Sequence, residues 1–123
     1  MYLGAFSISL NVKNISDSMS FYQKLGFQKF AGSLNEKYLI LKNGKTVIGL
    51  FENMLESNII TFNPGWDQNG NNIEKFDDIR EIQKSLKDNG VNINDELDEK
   101  TTGPGSFTLT DPDGNQILID QHR

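Results

Sequence analysis

The sequence predicts an α+β fold: two tandem β-α-β-β-β modules forming a curved mixed sheet around a cleft. Three observations carry that expectation. A strand followed by a capped helix occurs once in each half. Each helix stops at a glycine followed by an apolar residue, Gly26-Phe27 and Gly90-Val91. A turn-forming run precedes the last strand of each half, Lys42-Asn43-Gly44-Lys45 and Asp111-Pro112-Asp113-Gly114-Asn115. The 123 residues are read as one domain with a single core, with module one over 4–56 and module two over 57–123.

The first strand is expected at 6–12, where Phe6, Ile8, Leu10 and Val12 alternate with Ser7, Ser9 and Asn11 to give one dry and one polar face. Asn14 stands as an N-cap with Asp17 three residues on. Ile15, Met19, Tyr22 and Leu25 then form a helical stripe that Gly26 ends as a left-handed residue. Strands follow at 28–33, 37–41 and 46–52, the last two joined across Asn43-Gly44. Module two repeats the order. A strand at 58–63 precedes a helix opened by Asp78 and Glu81 as a capping box, with Ile79, Ile82 and Leu86 inward and Gly90 at its end. Strands at 92–97, 106–110 and 116–122 complete it. Another α+β arrangement, such as a ferredoxin-like sandwich, is the competing reading of the same repeat.

Composition narrows the function. Hydrophobic residues make up 36% of the chain and include eight Phe, enough for a packed core. With no cysteine there is no disulfide, no thiol nucleophile and no Cys-ligated metal. Seventeen acidic against twelve basic residues give a net charge of −5, which repels phosphate backbones, so no nucleic-acid partner is expected. The negative field favours a cationic small molecule, although an ordinary soluble surface carries the same charge. No apolar run long enough for a membrane span and no signal-peptide pattern occur, so the expected setting is cytoplasmic, with no membrane partner.

Leu10-Asn11-Val12-Lys13-Asn14, followed by Ser18-Met19-Ser20-Phe21-Tyr22-Gln23-Lys24-Leu25-Gly26-Phe27, resembles the opening module of the vicinal oxygen chelate superfamily, which groups glyoxalases, bleomycin-resistance proteins and extradiol dioxygenases. Asp111-Pro112-Asp113-Gly114-Asn115 is similar to its closing hairpin. The resemblance covers almost the whole chain. It implies paired modules and a homodimer in which sheets of two chains complete each cleft. In the superfamily's enzymes, His and Glu on inward strand positions hold Zn, Ni, Fe or Mn, and the ion acts as a Lewis acid on two neighbouring substrate oxygens. Carried onto this chain, the first-strand His position falls at Ser7, the fourth-strand ligand near Gly49 and the last-strand Glu at Leu118. The strand at 58–63 offers neither His nor carboxylate. No cofactor is therefore expected, and a divalent metal belongs only to an alternative.

That alternative rests on His122, the only histidine. Counting by twos from Leu118 puts Asp120 and His122 on the same strand face, with Glu52 as a third candidate from the fourth strand. The pair also offers a weak general acid or base, or a plain polar contact near the chain end. The loop at 63–72 contains the only Trp. Trp66 is read either as a lid over a planar or cationic ligand, anchored by Asp67, or as a plug for a sheet edge or dimer contact. The glycine-rich stretch 101–106 is its opposite rim, or simply a turn. Ser7, Ser9, Asn11, Thr108 and Leu118 are expected to line a floor of hydroxyl and amide groups with little charge.

Such a floor suits binding better than bond breaking. The expected function is metal-independent binding of a small molecule in the cleft, as in the bleomycin-resistance branch. The alternative is a glyoxalase-like lyase or a dioxygenase with an unconventional site at Glu52, Asp120 and His122. A third class, an interaction domain, requires a cleft filled by its own side chains.

Overall fold

A computed structural model describes residues 1–123. In chain order the elements are β1 (Ala5–Val12), α1 (Ile15–Lys24), β2 (Gln28–Ser33), β3 (Tyr38–Asn43), β4 (Thr46–Glu52), β5 (Ile59–Asn63), α2 (Ile79–Asp88), β6 (Gly105–Thr110) and β7 (Gln116–Gln121). Contacts divide the chain into two compact units, one of residues 7–59 and one of residues 1–6 with 60–123. Neither helix is long and apolar enough to cross a membrane.

In the 7–59 unit the strand order is β2-β3-β4-β1, with β1 parallel to β4 and the other pairs antiparallel. Helix α1 starts where expected, because the Asn14 side chain accepts from Asp17 N at 3.0 Å. It ends at Leu25, and Gly26 takes φ +95. Ile15, Phe27, Leu39, Leu41 and Leu50 form a wholly apolar core, joined by Leu10, Val12, Met19, Tyr22 and Ile48. Leu25, expected on the buried stripe, is exposed; as the C-cap residue it has left helical geometry. The β3–β4 hairpin is tighter than its sequence suggests. Asn43 pairs with Thr46, leaving Gly44-Lys45 as the loop, and Gly44 takes φ +59 as the first central residue of a type II′ turn does. Asn43 instead sends its amide to the carbonyl of Leu25, 3.1 Å away.

In the other unit the strand order is β5-β7-β6, with β6 and β7 antiparallel through the pair Thr108↔Leu118. Helix α2 is capped by Asp78, which accepts from Arg80 N at 2.9 Å. Its next orphan donor, Ile79 N–H, goes to the Gln121 amide oxygen at 2.8 Å. Ile79, Ile82, Phe107 and Ile119 form the core, with Leu3, Phe62, Leu86, Leu109 and Ile117 against it. The strand expected at 92–97 does not form. Only Asn94 makes a β-bridge, to Thr108, and Asp95 breaks the extended backbone at φ +53. Asn and Asp are poor strand formers and tolerate left-handed backbone, which outweighs the alternation of Val91 and Ile93. Leu97 is held by a side chain instead: its N–H donates to Gln83 Oε1 at 2.7 Å, and Gln83 Nε2 donates to its carbonyl at 2.9 Å.

Candidate functional site

In the 7–59 unit, Leu10, Ile48, Leu50, Leu39 and Leu41 turn toward α1, so the alternate residues form the opposite face of the sheet. That face carries the expected Ser7, Ser9 and Asn11, and the register sets Ser9 beside Gly49 and Asn11 beside Phe51. Across β3, Ile40 faces Gly49 and Tyr38 faces Phe51. The Tyr38 and Phe51 rings stack, 6.1 Å apart and 13° from parallel. Beside the expected hydroxyl and amide groups this face thus carries aromatic and aliphatic side chains. Tyr38, Ile40 and Phe51 escaped the sequence reading, although counting by twos from Gly49 leads to Phe51. The polar groups are also partly committed. Asn11 Oδ1 accepts from Leu55 N at 3.1 Å, and the Asn11 backbone donates to Asn58 Oδ1 at 3.1 Å, so Asn11 fastens the chain after β4.

Gly49 is the β4 residue nearest to where the resemblance places a metal ligand. A Cβ there lies 2.8 Å from Cε2 of the Phe51 ring and 3.4 Å from Cδ1 of Ile40, so any side chain at this position meets the ring. Glu52 lies two residues beyond Leu50, on the α1-facing side. Its carboxylate accepts from Ile15 N at 3.2 Å, at the start of α1, and pairs with Lys37 Nζ at 3.5 Å.

In the other unit, Phe107, Leu109, Ile117 and Ile119 pack toward α2, which leaves Thr108, Leu118 and Asp120 on the far face, with Ser106 opposite Asp120. His122 Nε2 lies 3.1 Å from Asp120 Oδ2. The imidazole also stacks on the Trp66 indole, 4.5 Å between centroids and 8° from parallel. Two candidates that the sequence left separate are one constellation, Asp120–His122–Trp66. One face of Trp66 is therefore covered by the protein itself, and its Nε1–H donates to Asn72 Oδ1 at 3.1 Å. Asp67 Oδ1 accepts from Asn69 N at 2.8 Å and Asn71 N at 3.0 Å, so this oxygen organises the loop. Arg123 braces the same loop, donating to the carbonyls of Gly65 at 3.1 Å and Ile73 at 2.6 Å. The stretch at 101–106 is tied inward, for Gly103 O accepts from Arg80 at 2.7 Å and Gln121 at 3.3 Å. Burial pushes the neighbouring Asp78 carboxyl up, but bonds from Arg80 N–H, the Gln121 amide and the Arg80 guanidinium leave it below its ordinary value.

The side chains present do not fit the superfamily's metal. At the three positions onto which the resemblance carries its ligands stand Ser7, Gly49 beneath the Phe51 ring, and Leu118. Asp120 and His122 supply two donors, and in neither unit do three His, Asp or Glu side chains gather.

The family model described as Glyoxalase/Bleomycin resistance protein/Dioxygenase superfamily matches residues 4–119, and the chain belongs to that superfamily. No curated protein matches the sequence. Among solved structures, the chain is similar to one described as an NAD-dependent benzaldehyde dehydrogenase from Legionella pneumophila, with 17% identity, a TM-score of 0.65 and coverage of 96% of this chain and 99% of that one. It is similar to a glyoxalase/bleomycin resistance protein/dioxygenase superfamily member from Vibrio splendidus 12B01, with 15% identity, a TM-score of 0.62 and coverage of 94% and 97%. It also resembles the 2,3-dioxygenase LapB from Pseudomonas sp. KL28, with 15% identity, a TM-score of 0.54 and coverage of 94% of this chain but 41% of that one. At these identities the likenesses speak for the fold.

Proposed function

We propose that the protein binds a small planar molecule, without a metal, on the sheet face that carries Ser9, Ile40, Gly49, Phe51 and Tyr38. The observation that carries this reading is the Phe51 ring lying over Gly49, near which the resemblance would place a ligand side chain. A glycine beside two stacked rings leaves a flat, half-exposed apolar surface with the Ser9 hydroxyl at its edge, suited to stacking and one or two hydrogen bonds. The reading includes a cytoplasmic homodimer and no nucleic-acid or membrane partner.

A thermal-shift screen with planar, cationic and thiol-conjugate compounds tests it. A hit should raise Tm equally with and without EDTA, and Phe51→Ala should abolish the shift. A stoichiometric transition metal whose removal abolishes the shift would refute the proposal.

The Asp120–His122 contact of 3.1 Å favours a second reading, a glyoxalase-like lyase or dioxygenase-type enzyme in which His122 moves a proton. Turnover of the methylglyoxal–glutathione adduct, lost in both His122→Gln and Asp120→Asn, would support it. Turnover that survives both variants would remove His122 from the chemistry.

A further inference from the structure

We propose that the groove between residues 1–4 and the Trp66 loop is a second binding site, for a small aromatic zwitterion. Its ring would rest against Tyr2, Phe62 and Trp66, and its two charges would be answered by Asp67 and Lys75. The groove measures about 540 Å³, and Tyr2, Phe62, Trp66, Ile73, Asp67 and Lys75 all line it. That volume is within the range of small-molecule sites. Apart from Trp66, which also stacks on His122, its lining is separate from the superfamily's sheet face. Phe62 and Leu3, which both border the groove, pack into the α2 core, whereas Thr108, Leu118 and Asp120 lie on the other side of the sheet.

The groove is preformed on the loop side. Trp66 is held by its stack on His122 and its bond to Asn72, and the loop is bridged from Ile73 N to Gly65 O at 2.9 Å and clamped by Arg123. Gln68 fixes it further, donating to Phe6 O at 2.9 Å and accepting from Phe6 N. A loop so thoroughly braced loses little entropy when a ligand settles against it.

On the other wall, the Tyr2 backbone N–H is tied to Asp77 Oδ2 at 2.6 Å, yet 80% of the residue is exposed. A large ring held in water beside an apolar groove gains by covering a ligand. The charges choose among ligands. Lys75 makes no ion pair, and only the Oδ1 of Asp67 is used by the loop, so the side chains of the groove supply one cation and one anion beside three aromatic rings. An uncharged aromatic leaves both unanswered, and a ligand of a single charge leaves one.

Titration with L-phenylalanine, phenethylamine and 3-phenylpropionate tests this, with the one indole N–H resonance of Trp66 followed by NMR. Phenylalanine should shift the resonance saturably in the millimolar range and bind about threefold tighter than either analogue. Lys75→Ala should weaken phenylalanine and phenylpropionate by about threefold and leave phenethylamine unchanged. Tyr2→Ala should weaken all three by about fivefold, and Phe51→Ala should change none, which keeps this site distinct from the one proposed above. The proposal is overturned if no probe shifts the resonance, or if the shifts ignore both Tyr2→Ala and Lys75→Ala. It is equally overturned if Tyr2→Ala abolishes a concentration-dependent dimer, because the groove would then belong to a second copy of the chain.

Discussion

In module one three successive strands, β2, β3 and β4, satisfy one another's backbone groups, whereas in module two the first of the three is missing and the Gln83 amide stands in its place at Leu97. The cores differ in the same sense. Around α1 the buried side chains are all apolar. Around α2 the fully buried set includes Gln83 and Gln121, with Arg80 and Thr61 nearly so, and no buried side-chain N or O atom lacks a hydrogen-bond partner. A module can therefore lose a strand when a side-chain amide, which has one donor and one acceptor like a peptide, takes over its pairing. The cost is dependence on a few polar residues, since a buried amide without its partners is strongly unfavourable.

That contrast can be broken by mutation. Leu50→Ala, in the apolar core, should cost about 3 kcal/mol in urea denaturation, the usual price of a core cavity. Gln121→Leu should cost nearly as much, about 3 kcal/mol, because Ile79 N–H and the Asp78 carboxylate both lose a partner. A loss below about 1 kcal/mol would mean that the polar core of module two is ornamental. Gln83→Leu should cost about 2 kcal/mol and raise amide exchange at Leu97 while leaving β6 and β7 protected. Exchange unchanged at Leu97 would show that something else holds this segment. In module one, Gly49→Ala should cost about 1.5 kcal/mol through its clash with Phe51, and nearly nothing in a Phe51→Ala background. Equal losses in both backgrounds would place the strain elsewhere.

The smallest effect is on pH dependence. The folded Asp78 pKa lies below its ordinary 3.8, so its contribution to stability is complete above that value and is lost as pH falls through the lower folded one. Asp78→Asn should thus be less stable than the parent at pH 7 and approach it at the acid end, measured as urea midpoints across that range. Parallel curves would leave Asp78 without a special part in acid stability.

The fold was largely legible because its signals are local. The alternation along β1 set Leu10 and Val12 toward the core as expected, although Phe6 at its start is exposed, and Asn14 and Asp78 cap the helices they were expected to start. The residues at 92–97 misled because the apolar spacing of Val91, Ile93 and Leu97 suits a strand, while the left-handed backbone at Asp95 reflects a tolerance of aspartate that periodicity ignores. The site was legible in part. Ser7, Ser9, Thr108 and Leu118 fall on the faces expected, but the Phe51 ring over Gly49 is a matter of rotamer and register. The Trp66–His122 stack joins a loop to a chain end, neither of which has a period to read.

Gln68 carries one last implication. Its amide answers both backbone groups of Phe6, at the start of β1, where a strand would otherwise offer an unpaired donor and acceptor to any passing chain. A single carboxamide thus does locally what a neighbouring strand would do, and its loss by Gln68→Ala should first be felt as faster amide exchange at Phe6.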